Sequence, residues 1–190
     1  MKMRKELISF AHLLAQEKLT YSCFGNISLR VGSSVIIKNR GASLSAAKMS
    51  DFSIISIKNG LDLIKRTAHL SSEWKMHALS YVLNPQYNAI FHLHPFYIAL
   101  LDELGLDLNS KDLEFNHLLN DKIKKIPFYE PGGESLANEV ARNLITHPVL
   151  ILEKHGIVVA ASGLETAYNL SAAIETTAKK MIYLRLLKQL

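Results

Sequence analysis

The segment Phe91-His92-Leu93-His94-Pro95 carries the strongest chemical signal in the sequence. The apolar run from Asn88 to Leu93 predicts a strand ended by Pro95. Alternate strand side chains share a face, so His92 and His94 project together while Phe91 and Leu93 pack behind them. Two imidazoles on one face are half of a metal site; such a pair also arises by coincidence, and a third ligand separates the two readings. His155 offers one, beyond the apolar strand Val149 to Leu152, where the chain leaves the sheet at Gly156. Three imidazoles leave one position open on a divalent cation, as a catalytic site requires and a structural site does not. His12, His69, His77, His117 and His147 lack a comparable partner pattern and read as surface or packing residues. Cys23 is the only cysteine, which excludes an internal disulfide, a Cys-based metal site and a CxxC redox pair.

Glu73 follows Ser71 and Ser72 at the start of an expected helix. The simpler reading is a carboxylate favoured by the helix dipole, worth about 0.3–1 kcal/mol. The functional reading is a general base near a cation. The same helix start offers free backbone N–H groups and two hydroxyls, which suit a phosphate. The loop Phe24-Gly25-Asn26-Ile27-Ser28 has the small residues and side-chain amide needed for close approach to a ligand, and reads equally well as a plain turn.

The elements that must position these residues follow from periodicity. Leu7, Phe10, Ala11 and Leu14 recur at helical spacing between Met3 and Glu17. Short strands are expected at Ile27–Val31, Val35–Ile37 and Phe52–Ile57, with turns at Gly32-Ser33-Ser34 and Lys58-Asn59-Gly60. A serine-capped helix near Ser71 or Ser72 carries Trp74, His77, Ala78 and Tyr81 and stops at Pro85. Asp102 to Lys125 reads as a short helix plus loops, and Lys122-Ile123-Lys124-Lys125 as a solvated loop edge. Pro131-Gly132-Gly133 leads into a helix over Ser135–Ile145; strands Val149–Leu152 and Ile157–Ala161 follow, then a helix from Leu164 to Leu187. This order implies a largely antiparallel sheet flanked by helices.

The composition sets the class. With 190 residues, 48% apolar and 21% charged, the chain suits one compact domain over residues 1–190 and not a disordered one. No stretch reaches the roughly 18 apolar residues of a membrane-spanning helix, and no apolar core follows the basic start of the chain, so a cytoplasmic protein without a membrane partner is expected. The net charge of +5 is spread along the sequence and lacks any stacking or groove-reading motif, so no nucleic-acid partner is expected.

Taken in order, Gly25-Asn26-Ile27-Ser28-Leu29-Arg30, Ser71-Ser72-Glu73-Trp74-Lys75-Met76-His77, His92-Leu93-His94-Pro95 and Lys154-His155-Gly156 resemble the class II aldolase/adducin superfamily. The likeness covers about residues 3 to 186, and the four motifs together are far more specific than any one. The resemblance implies an α/β fold, a three-layer α/β/α arrangement around a central, mostly antiparallel sheet, and a homotetramer. It implies an aldolase that cleaves a sugar phosphate or related hydroxy-carbonyl substrate through a metal-stabilised enediolate. Zn²⁺, or another divalent transition metal, would be held by His92, His94 and His155, with Glu73 as acid/base and Gly25, Asn26, Gly41, Ser71 and Ser72 on the phosphate. Alternatives within the superfamily are a dehydratase, an epimerase, or an adducin-like binding protein; the epimerase is disfavoured because it places Asp where this sequence has Glu73. Two departures stand out. Lys38-Asn39-Arg40-Gly41 replaces a Thr/Ser-rich turn, a change that suits a carboxylate as well as a phosphate. The tyrosine tail by which the sugar-phosphate aldolases cover their substrate is not expected in a sequence ending at Leu190.

Overall fold

A computed structural model describes residues 2–58, 60–61, 64 and 68–188. The amphipathic stripe makes α1 (Lys2–Gln16), in which Leu7, Ala11 and Leu14 are fully buried and Phe10 is half-buried. Alternating apolar segments then form β1 (Asn26–Val31), β2 (Ser34–Lys38) and β3 (Phe52–Ser56). They are followed by α2 (Trp74–Leu83), β4 (Ala89–Leu93), α3 (Phe96–Glu103), α4 (Leu113–Leu118) and β5 (Ile123–Ile126). The chain closes with α5 (Glu134–Asn143), β6 (Val149–Leu152), β7 (Gly156–Ala161) and α6 (Leu164–Leu187).

Among the described residues, the strands build one seven-stranded sheet in the order β3-β2-β1-β4-β7-β6-β5. Every pairing is antiparallel except β5 with β6. The strict alternation of side chains gives the central strands two buried faces. Phe91 and Leu93 of β4, with Ile157 and Val159 of β7, face α1, α3, α4 and α6. Ile90 and Val158 face α2 and α5. The result is the expected three-layer α/β/α arrangement. Truncating a residue such as Phe91, fully buried in the larger core, to Ala would cost about 3–5 kcal/mol.

Three local expectations are corrected. Lys122 to Lys125 is not a loop edge: Ile123 and Ile126 anchor β5 as a parallel edge strand on β6, while Lys124 and Lys125 are exposed. Lysines on an edge leave main-chain pairing intact and discourage pairing with another chain. The first turn of α2 begins later than the serines suggest. Glu73 occupies the N-cap position, and Ser71 Oγ accepts the Glu73 N–H at 3.2 Å instead of capping the helix. Finally, α3 starts directly after Pro95, where the sequence showed only the end of a strand. The Asn-Gly turn expected after β3 falls on Asn59, outside the described residues.

Candidate active site

Antiparallel pairing brings the start of β1, the end of β4 and the start of β7 to the same edge of the sheet. Asn26 lies opposite His92, and His92 lies opposite Val158. The residues singled out in four distant parts of the chain converge there. His92 is fully buried near the end of β4, and His94 follows that strand. His155 sits in the β6–β7 turn, and Glu73 at the N-cap of α2 is 7% exposed.

Two glycines make this convergence sterically feasible. A Cβ on Gly156 would lie 2.3 Å from the Leu93 carbonyl oxygen, so only glycine lets β7 approach the end of β4 and carry His155 to the other two rings. Gly25 adopts φ +72°, and a Cβ there would lie 2.9 Å from the His92 carbonyl oxygen.

The three ring centroids lie 4.7, 4.7 and 5.2 Å apart. Each histidine offers one nitrogen to a group within 4.8 Å of one another, and the Nε2 atoms of His92 and His94 are 3.0 Å apart. Two nitrogens at 2.0–2.1 Å from a tetrahedral cation would be about 3.3 Å apart, close to the spacing present. His92 Nδ1 donates to the Ile157 carbonyl at 3.0 Å; a carbonyl only accepts, so the lone pair of this ring is on Nε2, facing the cluster. Burial pushes His92 and His155 down to about 4, and burial together with the neighbouring histidines pushes His94 down to about 3. All three rings are therefore neutral near pH 7, the form that binds a metal.

Glu73 Oε2 lies 3.2 Å from His92 Nε2, and Oε1 lies 3.6 Å from His155 Nε2. Among the described residues, Glu73 Oε1 and His155 Nδ1 are buried polar atoms without a hydrogen-bond partner. An orphaned carboxylate oxygen beside three convergent imidazoles is what a cation or a substrate hydroxyl would satisfy, so the donor set fits a divalent metal.

Beneath Glu73 runs a buried polar chain whose direction is fixed by chemistry. Asn26 Nδ2 donates to Glu73 Oε2 at 2.8 Å, which leaves Asn26 Oδ1 to accept from His77 Nε2. His77 is then protonated on Nε2, so its Nδ1 accepts from Ser28 Oγ at 2.7 Å. Tyr81 lies 2.8 Å from the same hydroxyl. Burial, then the nearby His92, pushes His77 down to about 3, and burial pushes the Tyr81 hydroxyl up. His77 is therefore a support of the site and not simply a packing residue. Its signal was present in the sequence: it lies four residues beyond Glu73, on the same helical side.

A cleft of about 390 Å³ opens above Glu73, His94 and His155, walled by Gly25, Asn26, Gly41, Ser71 and Ser72. Lys38 and Arg40 line the same cleft. Lys38 is buried and donates to the carbonyls of Cys23 at 2.8 Å and Ala42 at 2.5 Å. Burial, only partly offset by nearby negative charge, lowers it to about 8. Every residue expected at the site is thus gathered here: all but His92 line the cleft, and His92, fully buried, lies against His94 and His155.

Residues 5–182 match the family model of the class II aldolase and adducin N-terminal domain. The chain is 32% identical over 175 residues to the L-fuculose phosphate aldolase of Methanococcus vannielii, covering 92% of this chain and 93% of that one. It is 31% identical over 160 residues to the 3-oxo-tetronate 4-phosphate decarboxylase of Haemophilus influenzae, covering 82% and 75%. In fold it superimposes on the L-fuculose-1-phosphate aldolase of Thermus thermophilus with a TM-score of 0.85 at 23% identity, over 95% of this chain and 93% of that chain. The chain belongs to the class II aldolase and adducin family, among its lyases.

Proposed function

We propose that the protein is a metal-dependent aldolase that reversibly cleaves a phosphorylated hydroxy-carbonyl compound, releasing dihydroxyacetone phosphate and an aldehyde. The observation that carries this reading is the orphaned Glu73 Oε1 facing His155 in a cleft lined by Gly25, Gly41, Ser71 and Ser72. His92, His94 and His155 would hold the cation, which when bound supplies Lewis-acid stabilisation of the negative charge left as the bond breaks. Glu73 moves a proton to or from the carbon that carries that charge, and the Asn26 amide fixes the carboxylate through Oε2 so that Oε1 remains free for this task. Gly25, Gly41, Ser71 and Ser72 orient the phosphate; Asn26, committed to Glu73 and His77, supports that wall from behind. Zn²⁺ suits three imidazoles, as do Mn²⁺, Fe²⁺ and Co²⁺.

One observation favours a second reading. Lys38 and Arg40 add positive charge to a cleft that already offers neutral donors for a phosphate, which suits a substrate with a carboxylate as well. Loss of CO₂ from a phosphorylated 3-oxo acid leaves the same charge on carbon, and the Haemophilus relative is named for that reaction.

The test is Glu73→Gln. The variant is expected to bind Zn²⁺ as the parent does and to lose about 10²–10⁴-fold in turnover. Full turnover in the variant would remove Glu73 from the mechanism. Assaying dihydroxyacetone phosphate release from ketose 1-phosphates alongside CO₂ release from phosphorylated 3-oxo acids separates the two readings.

A further inference from the structure

We infer that Asp102 is a positioning residue for the histidine cluster, acting through the backbone of the loop that carries His155. The inference rests on the metal-site reading above. Asp102 lies in the last turn of α3, and its carboxylate is 7% exposed. Oδ2 accepts the Lys154 N–H at 2.6 Å, and Oδ1 lies 2.5 Å from Lys125 Nζ on β5. Lys154 adopts φ +56°, a left-handed conformation that a lysine enters only when something holds it there. The next residue is His155, whose own N–H is tied back to the Leu152 carbonyl at 3.1 Å. One carboxylate therefore fixes the strained residue of the turn that aims the third imidazole.

The other end of the same helix is held as well. α3 begins two residues after His94, and Glu175 of α6 accepts from the backbone N–H groups of Tyr97, at 2.9 and 3.1 Å, and Ile98, at 3.1 Å. Glu175 satisfies N–H groups that a helix start leaves without internal partners, and its negative charge opposes the positive end of the dipole. α3 thus forms a strut: its N-terminus is fixed beside His94, and its C-terminus grips the His155 turn through Asp102. The separation of His94 from His155 is set by this helix and by β4–β7 pairing together. Neither contact touches the cleft above Glu73, so a fault here changes the cation site and leaves the phosphate wall in place.

The experiment is a Zn²⁺ affinity measurement by chelator competition on metal-free protein. Asp102→Ala is expected to raise the dissociation constant by about 10-fold, the lower end of the loss from removing a direct partner of a metal ligand, because Asp102 holds the neighbour of His155 and not its ring. Asp102→Glu, which keeps the charge but displaces the acceptor by one methylene, is expected to raise it as well without a comparable drop in melting temperature. Lys125→Met removes only the ion pair and should leave the affinity within about twofold of the parent. The Lys154 amide of the unsubstituted protein should also resist hydrogen exchange although its residue is exposed. Unchanged affinity in Asp102→Glu, an equal loss in Lys125→Met, or a freely exchanging Lys154 amide would each overturn the inference. A parent protein that binds no Zn²⁺ at all would overturn the metal-site reading itself. If Asp102→Ala does not fold, the Glu variant and the exchange measurement decide.

Discussion

His77 shows how much of the site's order rests on a single protonation state. Its ring bridges Asn26 and Ser28, and full burial keeps it there as the neutral tautomer with the proton on Nε2. In the unfolded chain a histidine protonates near pH 6.5, whereas burial holds His77 at about 3. Between these values the unfolded state binds the extra proton, so stability rises with pH through the window and is lost on acidification. At pH 5 this one group would remove about 2 kcal/mol relative to pH 7. His77→Gln keeps a donor toward Asn26 and has no such proton to take up. The variant should be the less stable protein at pH 7, with the gap narrowing by about 2 kcal/mol by pH 5. Urea denaturation of both metal-free proteins across that range checks this; a gap independent of pH would mean that His77 is not held neutral.

Among the elements, the turns and strand ends carry more of the function than the helices. Gly156 is the clearest case, because its hydrogen sits where any Cβ would meet the Leu93 carbonyl oxygen. Gly156→Ala forces β7 away from β4 or distorts both, at about 1–3 kcal/mol, and it moves His155 with it. For a chain of this size each kcal/mol is worth about 2–4 °C, so the melting temperature should fall by several degrees and Zn²⁺ binding should weaken in parallel. An unchanged melting curve would contradict the close approach. The elements also explain what the sequence could and could not reveal. His92 and His94 were legible because strand alternation fixes their common side, and α1 and α6 because their apolar stripes repeat over several turns. β5 was hidden because Ile-Lys-Lys-Ile neither alternates nor runs apolar, and only the neighbouring β6 makes it a strand. α3 was hidden because its sequence, Phe-Tyr-Ile-Ala-Leu-Leu-Asp-Glu, is apolar almost throughout and shows no helical period. The clamp formed by Asp102 depends on register between distant segments, which no local pattern encodes.

At the scale of the whole molecule, the site exists only when the sheet is assembled. Asn26 and His92 meet across the β1–β4 pairing, His155 arrives across β4–β7, and Glu73 comes from a helix packed on the opposite side of the sheet from α1 and α6. An unfolded chain scatters these groups over about 130 residues, so it would bind a cation far more weakly than the folded one. A ligand that prefers the folded state stabilises it by RT ln(1 + [L]/Kd), about 2.7 kcal/mol when the free ligand exceeds Kd by 100-fold. For a chain of 190 residues that corresponds to a rise of about 5–11 °C in melting temperature. Zn²⁺ added to metal-free protein should produce such a rise, and a chelator should reverse it. His155→Ala should melt near the metal-free parent and respond little to Zn²⁺, because two imidazoles alone leave the cation without its third anchor. An equal rise in parent and variant would place the bound cation elsewhere on the surface. A parent that does not respond at all would remove the cation, and with it the means of stabilising the charge that bond cleavage creates in this cleft.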